Sequence, residues 1–158
     1  MSATVEYRCN RASEAEIAEH LSRCDAYFVP PLSERTGIDD YASKIVSKAV
    51  RFEAWAGDAL VGLVAAYCND HEKRIAYITN VSVVSEWKGR GIAACLVSRC
   101  VEHANSVGMR QVSLRVAVAN ARAIELYEQS GFTADDEGAS FVTMRLNLTG
   151  GEEHEKQT

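Results

Sequence analysis

The sequence has no run of apolar residues long enough to cross a membrane, and its N-terminus has no basic region followed by an apolar stretch. We therefore predict neither a membrane partner nor a signal peptide. Basic residues are not in excess either, because 17 lysines and arginines stand against 22 acidic residues and the net charge is −5. This balance argues against a nucleic-acid partner bound by charge.

The five cysteines form no C-x-x-C pair, and the four histidines are scattered singly. The ligand spacing of a zinc site is therefore missing, and we predict no bound metal. An odd number of cysteines without paired spacing is typical of reduced thiols in the cytoplasm, which is the location that we predict. The 47% of hydrophobic residues is ordinary for a soluble globular protein.

The length of 158 residues is enough for one domain with a buried core. The sequence contains no internal repeat. We assign residues 1–149 to this domain. Residues 150–158 are polar and charged, which predicts a disordered tail.

The first half of the chain mixes helical and strand periodicities. Residues 1–10 alternate as in a strand. Ser13 and Glu16 have the spacing of a capping box, which predicts a helix that ends before Pro30. The further elements predicted here are a helix over residues 39–50 and antiparallel strands over residues 51–56, 60–67 and 74–84.

Residues 79–97 form the central motif of the sequence. They begin as a strand, turn through Lys88-Gly89-Arg90-Gly91, and continue as an amphipathic helix. Glycines let the backbone approach a ligand closely, and free N–H groups at the start of a helix bind anions. The pattern therefore predicts a cofactor that carries a pyrophosphate.

The remaining elements complete an α/β fold. Residues 111–118 predict a strand parallel to the preceding one, with residues 112, 114, 116 and 118 on one face, because a crossover helix connects the two strands. Asn120 is a good N-cap for a helix that ends at Gly131. A hairpin through Asp135 to Gly138 then leads into a strand over residues 141–148. We predict a mixed, mostly antiparallel sheet of six to seven strands with helices on both faces.

Dinucleotide binding is the first alternative, because Gly89 to Ala94 also fits G-x-G-x-x-A. That fingerprint belongs to the first β-α unit of a parallel sheet, whereas here a helical segment and a meander precede it. No acidic residue closes the next strand, around residues 116–119, to hold a ribose. The remaining chain is also too short for the second half of such a fold.

Two segments together resemble the hallmarks of the GNAT N-acetyltransferase superfamily. Residues 83–93 resemble its acetyl-CoA signature [RQ]-x-x-G-x-[GA], with Lys88 in place of the usual arginine or glutamine. Residues 114–132 contain the second hallmark, N-x-x-A-x-x-L-Y-x-x-x-G-F. Both segments occur in the expected order, and the predicted strands and helices of residues 4–148 fit the order of elements in that superfamily. The resemblance implies a sheet with splayed central strands, and acetyl-CoA as the co-substrate.

The resemblance also implies roles for individual residues. Tyr127 corresponds to the tyrosine that protonates the departing thiolate, although a tyrosine at this position also packs a helix onto a sheet. Asn120 is either a plain N-cap or also a cofactor contact, and Arg90 either binds phosphate or is solvated. Residues implied in cofactor binding are Val81, Ser82, Val83, Lys88, Gly89, Arg90, Gly91, Ile92, Ala93, Ala94, Asn120, Ala123 and Tyr127.

The general base is not identified by the resemblance. In the branch that acetylates ribosomal proteins, a glutamate stands between the leucine and the valine that precede the asparagine, and here that position is Arg115. An arginine stays protonated and cannot accept a proton. The other candidates are Glu53, Asp70, His71, Glu72 and Tyr77, or a chain of water molecules.

The implied reaction is direct transfer of an acetyl group from the thioester to an amine of a small molecule, an amino sugar or a peptide. The acceptor is left open, because the loops that would shape its site carry no motif. A homodimer is compatible with the resemblance. The missing base carboxylate supports an alternative, namely a non-catalytic acyl-CoA-binding or sensor module on the same fold.

Overall fold

A computed structural model describes residues 4–28, 30–138 and 140–148. The described residues form one seven-stranded sheet in the order β1-β2-β3-β4-β5-β7-β6. The predicted mixed α/β fold is confirmed. Its elements are β1 (Glu6–Cys9), α1 (Glu14–Cys24), α2 (Ile38–Lys48), β2 (Val50–Ala56), β3 (Ala59–Tyr67), β4 (Ile75–Val83), α3 (Ile92–Ser106), β5 (Gln111–Ala117), α4 (Ala121–Gln129), β6 (Thr133–Glu137) and β7 (Phe141–Asn147).

Both predicted helix caps are present. The Glu16 N–H donates to Ser13 Oγ at 3.1 Å, and the Ser13 N–H donates to Glu16 Oε1 at 2.9 Å, which completes the capping box of α1. The Ala123 N–H donates to Asn120 Oδ1 at 3.3 Å at the start of α4. Within the described ranges, no helix has both the length and the apolar character needed to cross a membrane.

Helices cover both faces of the sheet, as predicted. Ile17 of α1 and Ile45 of α2 belong to one buried apolar cluster. Leu96 of α3 and Tyr127 of α4 belong to a second one, on the opposite face. A Cβ at Gly62 of β3 would lie 2.8 Å from Ile92 Cγ2, so this glycine allows the start of α3 to pack closely against the sheet.

The only parallel pairing among the described strands joins β4 to β5, and it is short. It runs from Ile75 opposite Gln111 to Tyr77 opposite Ser113. Beyond that point β4 pairs only with β3, and β5 only with β7. The two central strands therefore separate toward their C-terminal ends, which confirms the parallel crossover and the splay.

A β-bulge at Thr79 changes which face the side chains of β4 occupy. Ala65 pairs with Asn80 and Ala66 pairs with Ile78, so Thr79 is the extra residue. Ile78 belongs to the core cluster under α3 and α4. Beyond the bulge, Asn80 and Ser82 are buried toward α1 instead.

Two predictions, one about a turn and one about a strand end, need correction. The hairpin does not turn through Asp135 to Glu137, which lie in β6, an edge strand where polar residues are common; the chain turns instead between Gly138 and Phe141, whose backbones share a 2.8 Å hydrogen bond. Val118 does not face the core, because β5 ends at Ala117 and Val118 is 48% exposed. The predicted tail lies outside the described residues.

Candidate active site

A cleft of about 640 Å³ opens where β4 and β5 separate. Its walls are the C-terminal half of β4, the glycine turn, the start of α3, the end of β5, and α4. Residues 24–35, which connect α1 to α2, contribute a further side. The volume is in the range of small-molecule sites in proteins.

The turn into α3 leaves six consecutive backbone N–H groups free. Those of residues Gly89 to Ala94 donate no hydrogen bond to any residue that the structure describes, and the first bond of the helix runs from the Cys95 N–H to the Gly91 carbonyl at 3.0 Å. Gly89 and Gly91 have φ of +80° and +77°, and a Cβ on either would meet nothing within 4 Å. Together with the positive end of the helix dipole, these groups fit a pyrophosphate.

Tyr127 lines the cleft from α4 and is only 7% exposed. Its ring packs against Phe132, with 5.9 Å between the ring centroids. Burial raises the pKa of the phenol far above its usual value. Among the hydrogen bonds of the described residues, none uses this hydroxyl. Tyr127 therefore offers a protonated, unshared donor to whatever binds in the cleft.

Most of the predicted binding residues come together in this cleft. Arg90 is the exception, because its guanidinium lies 4.5 Å from the Trp87 ring centroid and does not line the cleft. The side-chain oxygen of Asn120, Oδ1, already accepts a hydrogen bond from the Ala123 N–H as the cap of α4. The predicted residues that line the cleft are Val81, Ser82, Val83, Lys88, Gly89, Gly91, Ile92, Ala93, Ala94, Asn120, Ala123 and Tyr127.

Sequence reasoning missed several lining residues, among them Arg35, Asn80, Arg122 and Phe141. Arg35 comes from a loop without a motif, and the position of Asn80 depends on the bulge at Thr79. No sequence pattern available for one chain marks these positions. The final strand was predicted, so the place of Phe141 beside β5 could have been inferred from strand pairing.

None of the five candidate bases lines the cleft. Glu53 is fully buried in β2 and accepts hydrogen bonds from the Arg11 and Ala12 N–H groups and from Trp55 Nε1. Of the other four candidates, Asp70, His71 and Glu72 lie in the loop between β3 and β4, and Tyr77 lies within β4. Among the described residues, no three histidine, cysteine, aspartate or glutamate side chains are placed to hold a metal ion together.

The bulge in β4 is fixed by Tyr41 of α2. The Tyr41 hydroxyl donates to the Thr79 carbonyl at 2.7 Å and lies 2.7 Å from Thr79 Oγ1. Burial raises the pKa of this phenol to about 12, so it remains a donor at neutral pH. The contact holds the strand at the point where the cleft begins.

A buried hydrogen-bonded chain lies under the same part of β4. His20 is 1% exposed, and its Nδ1 donates to the Leu60 carbonyl at 3.0 Å. Its Nε2 lies 2.8 Å from Ser82 Oγ, and that hydroxyl lies 2.7 Å from Asn80 Oδ1. Burial lowers the pKa of His20 to about 4, so the imidazole is neutral at pH 7. This chain fixes two residues that line the cleft.

We expect His20 to make the protein less stable as the pH falls from about 6.5 to about 4. In this window the unfolded chain binds a proton at His20 and the folded chain does not, so stability present above pH 6.5 is lost as the pH decreases. The shift corresponds to a loss on the order of 3 kcal/mol. Urea unfolding at several pH values measures it, and His20→Gln should flatten this slope. The exposed His71→Gln should leave the slope unchanged; equal slopes in all three proteins would contradict the expectation.

A model of the acetyltransferase (GNAT) family matches residues 15–132. The chain belongs to this family. It is 42% identical over 76 residues to an uncharacterized N-acetyltransferase of Methanocaldococcus jannaschii. The matched segment covers 46% of this chain and 34% of that protein. It is 33% identical over 82 residues to the N-alpha-acetyltransferase MAK3 of Arabidopsis thaliana. This matched segment covers 51% of this chain and 43% of that protein. The chain thus spans less than half the length of these two curated relatives.

Solved GNAT structures share the fold over almost the whole chain. A putative GNAT acetyltransferase from Desulfovibrio desulfuricans superposes with a TM-score of 0.75 at 16% identity, covering 91% of this chain and 99% of that one. The PaiA N-acetyltransferase of Thermoplasma acidophilum, solved in complex with coenzyme A, gives a TM-score of 0.74 at 14% identity, covering 92% and 99%. At these identities the likeness concerns the fold alone.

Proposed function

We propose that this GNAT protein is an acetyl-CoA-dependent N-acetyltransferase that moves an acetyl group directly from the thioester to an amine. The observation that carries the proposal is the row of six free N–H groups at the start of α3, beside a cleft lined by a buried, protonated tyrosine. Family membership supports the same reaction.

In the proposed mechanism the main chain binds the co-substrate. The N–H groups of Gly89 to Ala94 bind the pyrophosphate, and Lys88 adds a positive charge beside them. Residues 81–83 pair with β3 on one side and with no strand on the side toward β5, so the backbone groups on that open side are available for the pantetheine amides. Bound acetyl-CoA supplies the activated acyl group.

Tyr127 acts on the leaving group. When the amine nitrogen bonds to the acyl carbon, the carbon–sulfur bond breaks and the negative charge moves to sulfur. Because its pKa is raised, the Tyr127 phenol is protonated at neutral pH and available to the thiolate, whose parent thiol has a pKa of about 8–9 if it resembles cysteine. The thiol leaves with the phenol proton, and the tyrosinate takes a proton back from the water that accepts the amine proton. The amine proton passes to water, since no described carboxylate lines the cleft.

The missing carboxylate also keeps a second function open, that of an acyl-CoA sensor. Incubation with acetyl-CoA and a panel of amines, with free thiol measured, separates the two. Thiol release that depends on the amine supports transfer. Tight acetyl-CoA binding without turnover on any amine would favour the sensor, and no binding at millimolar acetyl-CoA by calorimetry would exclude both.

We expect Gly91→Asp to raise the Kd for acetyl-CoA about 10-fold or more. The new carboxylate would stand in the row of N–H groups and repel the pyrophosphate. Gly57→Asp is the matched control, because Gly57 also has a positive φ, +60°, and open space around its Cβ, but lies in the β2–β3 turn. Calorimetric titration of both variants checks the prediction; equal Kd values would contradict it.

A further inference from the structure

The charged side chains that line the described part of the cleft are all basic. They are Arg35, Lys88, Arg115 and Arg122. The whole chain has a net charge of −5, so this cleft differs in sign from the protein around it. Such a field attracts anions and disfavours cations.

The four residues divide between the two ends of the cleft. Lys88 precedes α3 and Arg122 lies in the first turn of α4. Both helices follow the C-terminal ends of parallel strands, which lie at the same edge of the sheet. Lys88 and Arg122 are therefore placed near the proposed pyrophosphate seat. Arg35 and Arg115 lie toward the other end, where β4 and β5 begin to separate.

Arg115 is two residues beyond Ser113, the last residue of β5 that pairs with β4, so it lies in the part of β5 that borders the gap. Its neighbours Leu114 and Val116 face the core under α3 and α4, so its side chain projects to the opposite face. There its guanidinium lies 4.8 Å from the Phe141 ring centroid. Arg115 is exposed and forms no salt bridge with a described residue.

Arg35 reaches the same region from the loop between α1 and α2. Burial raises the pKa of Tyr41, whose hydroxyl is bonded to the Thr79 carbonyl, and the nearby charge of Arg35 opposes that rise. The pKa of Asp25 is lowered mainly by hydrogen bonds from the hydroxyl and the N–H of Ser33, both at 2.7 Å, and the charge of Arg35 adds to this effect. Within the described ranges Arg35 has no ion-pair partner either.

On the basis of the proposed function, we infer that the acceptor amine also carries an oxyanion, a carboxylate or a phosphate, which Arg35 and Arg115 bind. A guanidinium presents a planar fork of N–H donors that matches both groups. Two such forks beside the point of transfer would fix the anion and leave the amine pointing to the thioester. They would repel polyamines, even though a spermidine N-acetyltransferase chimera shares the fold.

Matched pairs of acceptors test the charge requirement. Each pair differs only in the anion: an amino acid and its amide, and glucosamine 6-phosphate and glucosamine. In the pair whose members the cleft accepts as substrates, we expect kcat/KM to be about 10-fold to 100-fold higher for the anionic member. Hydrogen bonds to charged groups are stronger than those between neutral groups. The pair that shows the difference identifies carboxylate or phosphate. Equal values within both pairs, or preference for spermidine or for a peptide N-terminus, would overturn the inference but not acetyl transfer.

Variants connect the preference to the two residues. Arg115→Gln and Arg35→Gln should each raise KM for the anionic acceptor about 10-fold and leave the Kd for acetyl-CoA unchanged. Arg11→Gln is the control, because Arg11 is exposed and does not line the cleft. An equal loss of activity on the anionic acceptor in all three variants would contradict a specific role of Arg35 and Arg115 in binding the anion.

A binding measurement separates failure of this inference from failure of the proposed function. If no amine is acetylated, acetyl transfer is refuted, and the anion site is still tested by titrating N-acetyl amino acids and N-acetylglucosamine 6-phosphate into the protein with coenzyme A. Binding that weakens about 10-fold in Arg115→Gln supports the site. Binding equal to that of the uncharged analogues overturns it.

Discussion

Replacing Tyr127 with phenylalanine is expected to lower kcat about 100-fold and to change KM for acetyl-CoA by no more than about twofold. The ring would keep its packing against Phe132, but the hydroxyl that we propose protonates the leaving thiolate would be gone. A loss in kcat without a matching rise in KM is the signature of an interaction made in the transition state. Steady-state thiol release, with acetyl-CoA varied at saturating amine, measures both constants.

Tyr77→Phe is the matched control for this experiment. Tyr77 loses the same hydroxyl, but it is 36% exposed and does not line the cleft. We expect its kcat to stay within about twofold of the unmodified protein. An unchanged kcat in Tyr127→Phe would remove Tyr127 from the mechanism, and an equal loss in both variants would indicate a general effect on the fold.

Replacing Glu53 with alanine is expected to lower the free energy of unfolding by about 3–5 kcal/mol. The carboxylate is fully buried, and Arg51 Nε lies 3.5 Å from its Oε2. Without it, the Arg51 charge would be buried and unpaired, and the N–H groups of Ala12 and Trp55 would lose their acceptor. Urea unfolding followed by circular dichroism gives the free energy.

Glu72→Ala is the control for the loss of a carboxylate. Glu72 is exposed in the turn before β4, and its replacement should change stability by no more than about 0.5 kcal/mol. A similar small change in Glu53→Ala would contradict the structural role assigned to Glu53. A large loss of stability would confirm it and exclude Glu53 as a free base.

Local sequence patterns predicted most of the fold. The capping box at Ser13 and the N-cap at Asn120 depend on residues three apart, so the sequence alone contains both partners. The glycine turn is also a local feature, because it is adjacent in sequence to the start of α3. The first N–H groups of a helix have no carbonyl partner within the helix, so they are free. The motif around Tyr127 predicted that this residue lines the cleft beside that turn.

Contacts between distant residues could not be predicted. Glu53 accepts from the Ala12 N–H, 41 positions away, and His20 meets Ser82 across 62 positions. Sequence periodicity does not reveal a partner that lies far away in the chain. Glu53 therefore remains a candidate base in the sequence analysis, although in the fold its carboxylate is occupied by hydrogen bonds. The bulge at Thr79 likewise depends on pairing with β3, and it decides to which face of the sheet the side chains of Asn80 and Ser82 point.

The free N–H groups at the start of α3 have a consequence for how this protein can diversify. A binding site made of main-chain atoms tolerates most side-chain changes around it. The opposite end of the cleft is instead formed by side chains such as Arg35 and Arg115. Under the proposed function, mutations there are expected to exchange one acceptor for another and to leave co-substrate binding intact. The two ends can therefore evolve separately, and libraries that vary only the acceptor end are a rational route to new amine specificities on this scaffold.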